Sequence, residues 1–170
     1  MTDQEDLERT QWLDPIVIVS GGFDPAHKGH VKLFEEASQY GKVHVLLNSD
    51  EWLERKKGSS LLPFDSRRDL LKNLTFIHRV HSVDDRDDTV CQGLATLRKK
   101  YPYTKLMFAN GGDREQHNTP EIEFCEQINI ESLWNIGGEK VASSSGYLNS
   151  YISTQEKADT YQRAWGSYEI

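Results

Sequence analysis

The sequence predicts an α/β fold in which helices cover both faces of a mainly parallel sheet of five strands. Short runs of β-branched and other apolar residues alternate along the chain with longer segments of helical periodicity. This alternation is typical of βαβ units, in which consecutive strands lie parallel and the connecting helices pack on the sheet. The predicted strands cover residues 16–20, 43–48, 79–83, 105–109 and 132–136.

The first two strands are the most clearly marked. IVIVS at residues 16–20 and VHVLLN at residues 43–48 are nearly continuous apolar runs. Such runs are expected of parallel strands that are buried on both faces of a sheet. The three later strands are shorter or more polar runs. We predict them because each lies between two predicted helices, where a strand is expected in a chain of alternating strands and helices.

Helical periodicity fills the segments between the strands. From residue 30 to residue 40 apolar side chains recur at helical spacing, and Gly41 is placed to end this helix. Residues 54–63 combine basic side chains with glycine and serine, and we predict a loop there. The remaining predicted helices cover residues 64–74, 89–100, 120–127 and 143–153, and the last one is opened by serine caps.

Composition and length indicate one globular domain. The 170 residues are 36% hydrophobic and 28% charged, and no apolar run reaches the about 20 residues that span a bilayer. A net charge of −7 argues against nucleic acid as the main partner, because that binding depends on Lys and Arg. We therefore expect a soluble protein with neither nucleic-acid nor membrane partners.

The two ends of the chain are predicted to flank a domain at residues 15–153. Residues 1–14 are acidic and lack the basic start and apolar core of a secretory signal, so we expect a cytoplasmic location. Residues 154–170 carry three aromatic residues among charged ones. This composition predicts an amphipathic tail that packs on the domain or on a second subunit.

Polar segments follow three of the predicted strands. GGFDPAHKGH follows the first strand, NSDEW the second and NGGDRE the fourth. In open parallel sheets, ligands bind outside the carboxyl ends of the strands, where the strand order reverses. The three segments are therefore expected to meet at one edge of the sheet.

The first of these segments places His27 and His30 three positions apart at the start of a helix. Residues with this spacing share a helix face, and a helix N-terminus favours an anion. Two imidazoles beside such a site can donate hydrogen bonds to phosphate oxygens during displacement at phosphorus. Gly21, Gly22 and Gly29 would then allow a polyphosphate to approach the backbone closely.

Other ligand-binding patterns are weaker. The sequence has no GxGxxG after the first strand and no GxxxxGK[ST] segment. His78 and His81 lie in a predicted strand, where residues three apart face opposite sides, so a joint zinc site is not expected. The acidic segment at residues 84–88 precedes a helix, which is favourable for the helix dipole, although it could also bind an acceptor hydroxyl or a metal.

GGFDPAHKGH resembles the GxFDxxHxGH signature of the cytidylyltransferase-like nucleotidylyltransferases. LLNSDEWLERKKG, PFDSRRDLL, FANGGDRE and GGEKVASSSGYL also resemble segments of this superfamily, so the similarity covers about residues 16–148. The chain looks most like the glycerol-phosphate and ethanolamine-phosphate cytidylyltransferases and heptose 1-phosphate adenylyltransferase. The resemblance implies a Rossmann-like three-layer fold of the nucleotidylyltransferase type.

The resemblance also implies an activity. A nucleoside monophosphate would pass from CTP or ATP to a phosphorylated small alcohol or sugar, with release of pyrophosphate. Mg²⁺ would be bound through the nucleotide phosphates, without a predicted protein ligand, and a homodimer is compatible with the aromatic tail. Two alternatives stay open: a dinucleotide-forming adenylyltransferase and a catalytically weak, nucleotide-binding regulator.

Roles are carried over from the resemblance position by position. His27 and His30 would stabilise the α-phosphate in the transition state, and Lys56 would contact phosphate from a loop. Arg67 and Lys57 would bind the acceptor from exposed positions. Asp24 would help to order its loop or would contact nucleotide or Mg²⁺. The nucleotide-binding residues would be Gly21, Gly22, Phe23, Asp24, Gly29, Asn110, Gly112, Asp113, Arg114, Ser143, Ser144 and Ser145.

Overall fold

A five-stranded, wholly parallel sheet lies at the centre of the protein. The computed structural model describes residues 13–112, 119–139 and 143–165, with side chains described as far as residue 157. The strand order is β3-β2-β1-β4-β5, and every neighbouring pair is parallel. The predicted sheet is thereby confirmed. Its strands are β1 (Ile16–Gly21), β2 (Lys42–Leu47), β3 (Ile77–Ser82), β4 (Leu106–Ala109) and β5 (Glu131–Leu133).

Helices cover both faces of this sheet. They are α1 (Lys28–Ser38), α2 (Asp50–Lys57), α3 (Phe64–Lys72), α4 (Cys91–Lys100), α5 (Glu121–Gln127) and α6 (Ser144–Trp165). Alternate side chains of β1 point to opposite faces, so Val17 and Val19 pack in one apolar cluster and Ile16 and Ile18 in the other. The first cluster includes side chains of α1 and α3, and the second includes side chains of α4 and α5. The chain order reverses between β1 and β4, and this is where a binding crevice is expected.

Helix α2 occupies part of the segment that was predicted to be a loop, so that prediction was wrong for residues 54–57. Its ends carry local signals: the Ser49 side chain accepts a hydrogen bond from the Trp52 amide, and Gly58 closes the helix with φ of 88°. Acidic residues in the first turn and basic residues in the last turn also suit the helix dipole. The sequence of α2 shows no hydrophobic periodicity, because a helix with one buried residue, Leu53, needs no repeating apolar positions.

Helix α6 continues past the predicted end at residue 153 and runs to Trp165. Its apolar side chains are largely exposed: Tyr147 by 50%, Leu148 by 40%, Tyr151 by 63% and Ile152 by 45%. Residues 154–157 are exposed as well, so this part of the tail does not pack on the domain. None of the described helices combines the length and the apolar character needed to cross a bilayer.

A β-bulge brings three histidines together at the edge of the sheet. The register of β2 and β3 passes from Val43 opposite Ile77 to His44 opposite Arg79, so His78 is the extra residue. The ring of His44 lies 5.5 Å from that of His78 and 5.1 Å from that of His81. The expectation that His78 and His81 face opposite sides was therefore wrong, because the bulge resets the strand alternation. The described residues nevertheless contain no group of three side chains suited to hold a metal ion.

His44 is held neutral in the folded protein. Its side chain is 1% exposed, and its Nδ1 lies 3.1 Å from Nε2 of His81. Burial lowers the pKa of His44 to about 3, and the neighbouring His81 contributes further. Burial also lowers the pKa of His81.

We predict that acid destabilises the protein through this pair. The unfolded chain binds a proton at His44 below its ordinary pKa of 6.5, whereas the folded protein does not bind one until the pH approaches about 3. Stability contributed by the neutral ring is thus complete above pH 6.5 and falls below it by about 1.4 kcal/mol per pH unit. Denaturant unfolding at about pH 7.5 and about pH 5 measures this loss, which should shrink in His44→Asn. The exposed His78 serves as control: it makes only a smaller contribution to the lowered pKa of His44, so His78→Asn should keep most of the wild-type loss, and an equal change in both variants would contradict the assignment.

Candidate active site

Two adjoining clefts lie at the carboxyl edge of the sheet. The large cleft has a volume of about 560 Å³ and is bordered by the ends of β1, β2 and β4 and by residues of α2 and α5. The small cleft, of about 280 Å³, is lined by glycines and by the first residues of α6. His30 lines both clefts and so marks their junction. Segments after β1, β2 and β4 contribute to the large cleft, as the strand order predicted.

His27 and His30 cap the N-terminus of α1 reciprocally. Nδ1 of His27 accepts a hydrogen bond from the Gly29 amide at 3.2 Å, and Nδ1 of His30 accepts one from the His27 amide at 3.3 Å. This arrangement is a capping box in which imidazoles replace the usual hydroxyl and carboxylate groups. The spacing of the two histidines is thus also what starts the helix.

The capping box determines the tautomer of both rings. An Nδ1 atom that accepts a hydrogen bond carries no proton, so the proton of the neutral ring lies on Nε2. The rings of His27 and His30 are stacked, with centroids 3.7 Å apart and planes inclined by 22°. The ring of Phe23 packs edge-on against His30 with a centroid distance of 4.9 Å. Two N–H donors are therefore held side by side, which is an arrangement suited to oxygens of one phosphate group.

Gly22 and Gly112 are required by protein packing. A side chain on Gly22 would place its Cβ 2.6 Å from Cδ2 of Leu53 in α2, and one on Gly112 would collide with the carbonyl oxygen of Gly138. The first glycine lets α2 lie against the loop after β1, and the second brings the segments after β4 and β5 together. These contacts add a structural reason to the close approach of a polyphosphate predicted for Gly22.

Asp24 has a structural role that differs from its predicted contact with nucleotide. Its side chain is 6% exposed, and its two oxygens accept hydrogen bonds from the amides of Leu61 and Leu62 at 2.6 and 2.7 Å. Because both carboxylate oxygens are engaged with the backbone, Asp24 ties the segment after α2 to the loop after β1. These hydrogen bonds agree with the loop-ordering role expected of Asp24, and its contact with nucleotide or Mg²⁺ stays a prediction.

The prediction that Arg67 binds the acceptor from an exposed position is corrected. Its side chain is 0% exposed. The guanidinium donates hydrogen bonds to the carbonyl oxygens of Gly22 at 2.7 Å, Asn48 at 2.9 Å and Leu62 at 3.0 Å. It also forms an ion pair with Asp50 at 2.6 Å. Arg67 thus joins the loop after β1, the end of β2 and the start of α2, and its donors are not directed at an acceptor.

Lys56 and Lys57 lie in the last turn of α2 and not in a loop. Lys56 lines the large cleft, and its ammonium lies 4.6 Å from the centre of the Trp52 ring. Lys57 lines the small cleft beside the serines at the start of α6. Consecutive residues on a helix point about 100° apart, so the two lysines serve different clefts. Lys57, which was predicted to bind the acceptor together with Arg67, therefore borders the small cleft and not the large one.

The three serines at the start of α6 have different partners. Ser143 caps the helix, since its Oγ accepts a hydrogen bond from the Gly146 amide at 3.0 Å. Ser144 is buried and donates its hydroxyl to the carbonyl oxygen of Pro25 at 2.9 Å, which fastens α6 to the loop after β1. Ser145 is exposed at the rim of the small cleft. All three line that cleft, but the hydroxyl proton of Ser144 is not available to a phosphate in this arrangement.

The predicted residues after β4 are only partly described. Asn110 is fully buried, and its side-chain amide donates to the carbonyl oxygens of Phe108 and Leu133. It joins β4 to β5 and borders neither cleft, so its predicted contact with nucleotide is corrected. Asp113 and Arg114 lie outside the described residues.

The acidic segment after β3 anchors the start of α2. Asp85 is 3% exposed and accepts hydrogen bonds from the side chain of Asn48 and from both the amide and the hydroxyl of Ser49, at 2.7–3.0 Å. Asp88 pairs with Arg55 of α2 at 3.0 Å and borders the large cleft. The partners of Asp85 and Asp88, Asn48 and Arg55, lie more than 30 residues away in the sequence. The position of the acidic segment before a helix therefore did not predict that it anchors α2.

Two further residues of the large cleft were not predicted. Trp52 lies in the NSDEW segment, whose position after β2 is the available signal. Glu121 begins α5, where an acidic residue is ordinary for a helix start, so nothing local distinguishes it. Both face the cleft only because α2 and α5 flank the end of β1.

Comparisons with known proteins agree with this geometry. The sequence model of the family described as cytidylyltransferase-like matches residues 18–162. D-beta-D-heptose 1-phosphate adenylyltransferase of Bordetella bronchiseptica is 29% identical over 109 residues, which are 63% of this chain and 64% of that protein. Phosphopantetheine adenylyltransferase of Methanosarcina barkeri is 41% identical over 75 residues, which are 42% of this chain and 44% of that protein. The chain thus matches less than two thirds of the length of either relative.

A solved structure shares the fold. The lipopolysaccharide core biosynthesis protein from Thermoplasma volcanium GSS1 superimposes with a TM-score of 0.57 at 19% sequence identity, covering 75% of this chain and 100% of that chain. At this identity the likeness concerns the fold alone.

The buried clamp at Arg67 yields a stability prediction. Arg67→Met should lower the free energy of unfolding by about 3 kcal/mol or more, because Asp50 and three carbonyl groups lose their donor. The neighbouring Arg68 is a matched control, since it pairs with Asp65 and Asp69 at the surface, and Arg68→Met should cost less than about 1 kcal/mol. Denaturant unfolding of both variants measures the difference, and similar losses in the two would contradict a clamp at Arg67.

Proposed function

Because the chain belongs to the cytidylyltransferase-like family, we propose that it transfers a nucleoside monophosphate from a nucleoside triphosphate to a small phosphorylated alcohol or sugar. The observation that carries this proposal is the reciprocal capping of His27 and His30, which holds two N–H donors beside the small cleft, with His30 at its junction with the large cleft. A displacement at phosphorus builds charge on non-bridging oxygens, and donors held in advance stabilise that charge without reorganisation.

The small cleft has the features of a nucleotide site. Glycine backbone from the segments after β4 and β5 offers a surface on which a base and ribose can lie closely. The N-terminus of α6, with Ser143 and Ser145, offers amides and hydroxyls to phosphate groups. Lys57 supplies a positive charge beside them. These features support placing the triphosphate between α6 and the histidine pair.

The large cleft would hold the acceptor. An oxygen of the acceptor phosphate attacks the α-phosphorus, a new phosphorus–oxygen bond forms, and the bond to the bridging oxygen of the leaving pyrophosphate breaks. His27 and His30 donate Nε2–H hydrogen bonds to the α-phosphate, and Lys56 attracts the acceptor phosphate from the side of α2. No covalent intermediate with the protein is required.

Mg²⁺ is part of this proposal as an ion bound through the nucleotide phosphates, where it would neutralise charge on the leaving group. Within the described ranges no three His, Cys, Asp or Glu side chains are grouped to ligate an ion. In this proposal the ligands of Mg²⁺ would be phosphate oxygens and water.

A second candidate is formation of a dinucleotide from an adenylyl group and a larger phosphorylated acceptor. The match to a phosphopantetheine adenylyltransferase over 75 residues favours it specifically. The two candidates share the nucleotide step and differ in the acceptor.

A pyrophosphate-release screen tests the proposal. ATP is tried first, because the relatives reported above are named adenylyltransferases, followed by CTP, GTP and UTP. Each is combined with glycerol 3-phosphate, phosphoethanolamine, phosphocholine, hexose 1-phosphates and 4′-phosphopantetheine. Release that depends on both substrates is expected, whereas nucleotide binding by calorimetry without release in any combination would indicate a regulatory protein instead.

Variants of the histidine pair are expected to lose turnover while remaining folded. His27→Asn and His30→Gln introduce residues that are favoured at these capping positions but lack the imidazole. Each should lower kcat about 100-fold or more, because a donor to the transition state is lost, while Tm stays close to that of the wild type. His78→Asn, far from both clefts, is the control with unchanged kcat, and near-normal turnover in both cleft variants would refute the assigned role.

A further inference from the structure

The two walls of the large cleft differ in charge. One wall is α2, which follows β2 and carries Lys56, and the other includes the start of α5, which follows β4 and carries Glu121. Because β1 lies between β2 and β4 in the sheet, these walls stand on opposite sides of its carboxyl end. An acceptor in the cleft therefore meets a cation on one side and a carboxylate on the other.

The carboxylate of Glu121 is buried and incompletely bonded. Its residue is 7% exposed, and Oε1 accepts a hydrogen bond from the Val90 amide at 3.1 Å. Across the described part of the chain, no other residue donates a hydrogen bond to Glu121, and none forms an ion pair with it. By contrast, Asp88 on the same cleft is neutralised by Arg55. The second carboxylate oxygen of Glu121 is not among the described buried side-chain atoms that lack a partner, so it can accept a hydrogen bond from a donor on a molecule in the cleft that Glu121 borders.

The surroundings of Glu121 favour a hydroxyl group as that donor. Hydroxyl-bearing Ser20 and Thr119 border the same cleft, which is a polar setting typical of sugar recognition. A quaternary ammonium group would instead require an exposed aromatic face, and the face of Trp52 is covered by the ammonium of Lys56 at 4.6 Å. An acceptor with a purely apolar arm would offer the carboxylate of Glu121 no hydrogen-bond donor.

We propose that Glu121 is a specificity-determining residue that accepts a hydrogen bond from a hydroxyl of the acceptor. The acceptor is then a polyhydroxylated phosphate, namely a sugar or polyol phosphate, with its phosphate toward Lys56 and the histidine pair. This inference rests on the proposed nucleotidyl transfer and narrows its substrate class.

The variant Glu121→Gln tests this role. Its side-chain oxygen can still accept from the Val90 amide, so the junction of α4 and α5 is kept while the charge is removed. The control is Glu123→Gln, an exposed position on the same helix. For each protein, kcat and KM are measured by pyrophosphate release with glycerol 3-phosphate, a hexose 1-phosphate and its mono-deoxy analogues, phosphoethanolamine, phosphocholine and 4′-phosphopantetheine, and Tm is recorded.

Wild type is expected to prefer a polyhydroxylated acceptor. Glu121→Gln should raise the acceptor KM about tenfold or more, since a hydrogen bond to a charged group is weakened, and should leave the KM for the nucleotide within about twofold. Removing the recognised hydroxyl from the acceptor should cost wild type a similar factor and cost Glu121→Gln much less, because the two changes remove the same contact. A purely structural role would not produce this non-additivity.

Other outcomes distinguish a failure of the role proposed for Glu121 from a failure of the proposed nucleotidyl transfer. Preference for phosphoethanolamine, phosphocholine or 4′-phosphopantetheine overturns the role of Glu121 and leaves nucleotidyl transfer standing. Additive effects, or an equal rise in the KM for the nucleotide, also overturn it. Absence of pyrophosphate release with every nucleotide and acceptor overturns the proposed function, and the inference with it.

Discussion

The buried side chain of Arg67 is the interaction on which the binding edge of this protein depends. A guanidinium with 0% exposure must satisfy its donors inside the protein, because an unmatched buried charge is strongly unfavourable. Its acceptors are the carbonyl oxygens of Gly22, Asn48 and Leu62 and the carboxylate of Asp50. These groups come from separate segments around the sheet edge, and none can move away without exposing a buried donor. The segment that carries the cleft lysines is therefore rigidly placed.

Two carboxylates extend this constraint to both ends of α2. Asp85 binds Ser49 at the helix start, and Asp24 binds the amides that follow the helix end. The helical backbone then directs Lys56 and Lys57 to different clefts, which a flexible loop would not do. The charged residues that the sequence suggested as ligand contacts thus form two groups: buried residues that hold the scaffold, such as Arg67, and residues that border a cleft, such as Lys56.

Local sequence signals account for much of the fold and for the histidine pair. The apolar runs predicted β1 and β2, and the glycine after α1 predicted its end closely. The same signals failed where burial and periodicity were weak, as in α2, whose caps are evident only once its hydrogen bonds are known. They also failed at the β-bulge, where the extra residue His78 breaks the strand alternation, so that His78 and His81 both lie near His44.

The sequence by itself determined the order of the strands and of the helices other than α2, and the place of His27 and His30 at a helix start. These features depend on contacts between residues a few positions apart, which spacing and residue type express directly. The tertiary structure alone decided that Arg67 is buried among carbonyl groups, that Asp24 accepts hydrogen bonds from the amides of Leu61 and Leu62, and that Glu121 borders the large cleft. Those outcomes depend on groups far apart in the chain, such as Arg67 and Gly22, and whether a charge is buried or exposed follows from how the helices pack around the sheet.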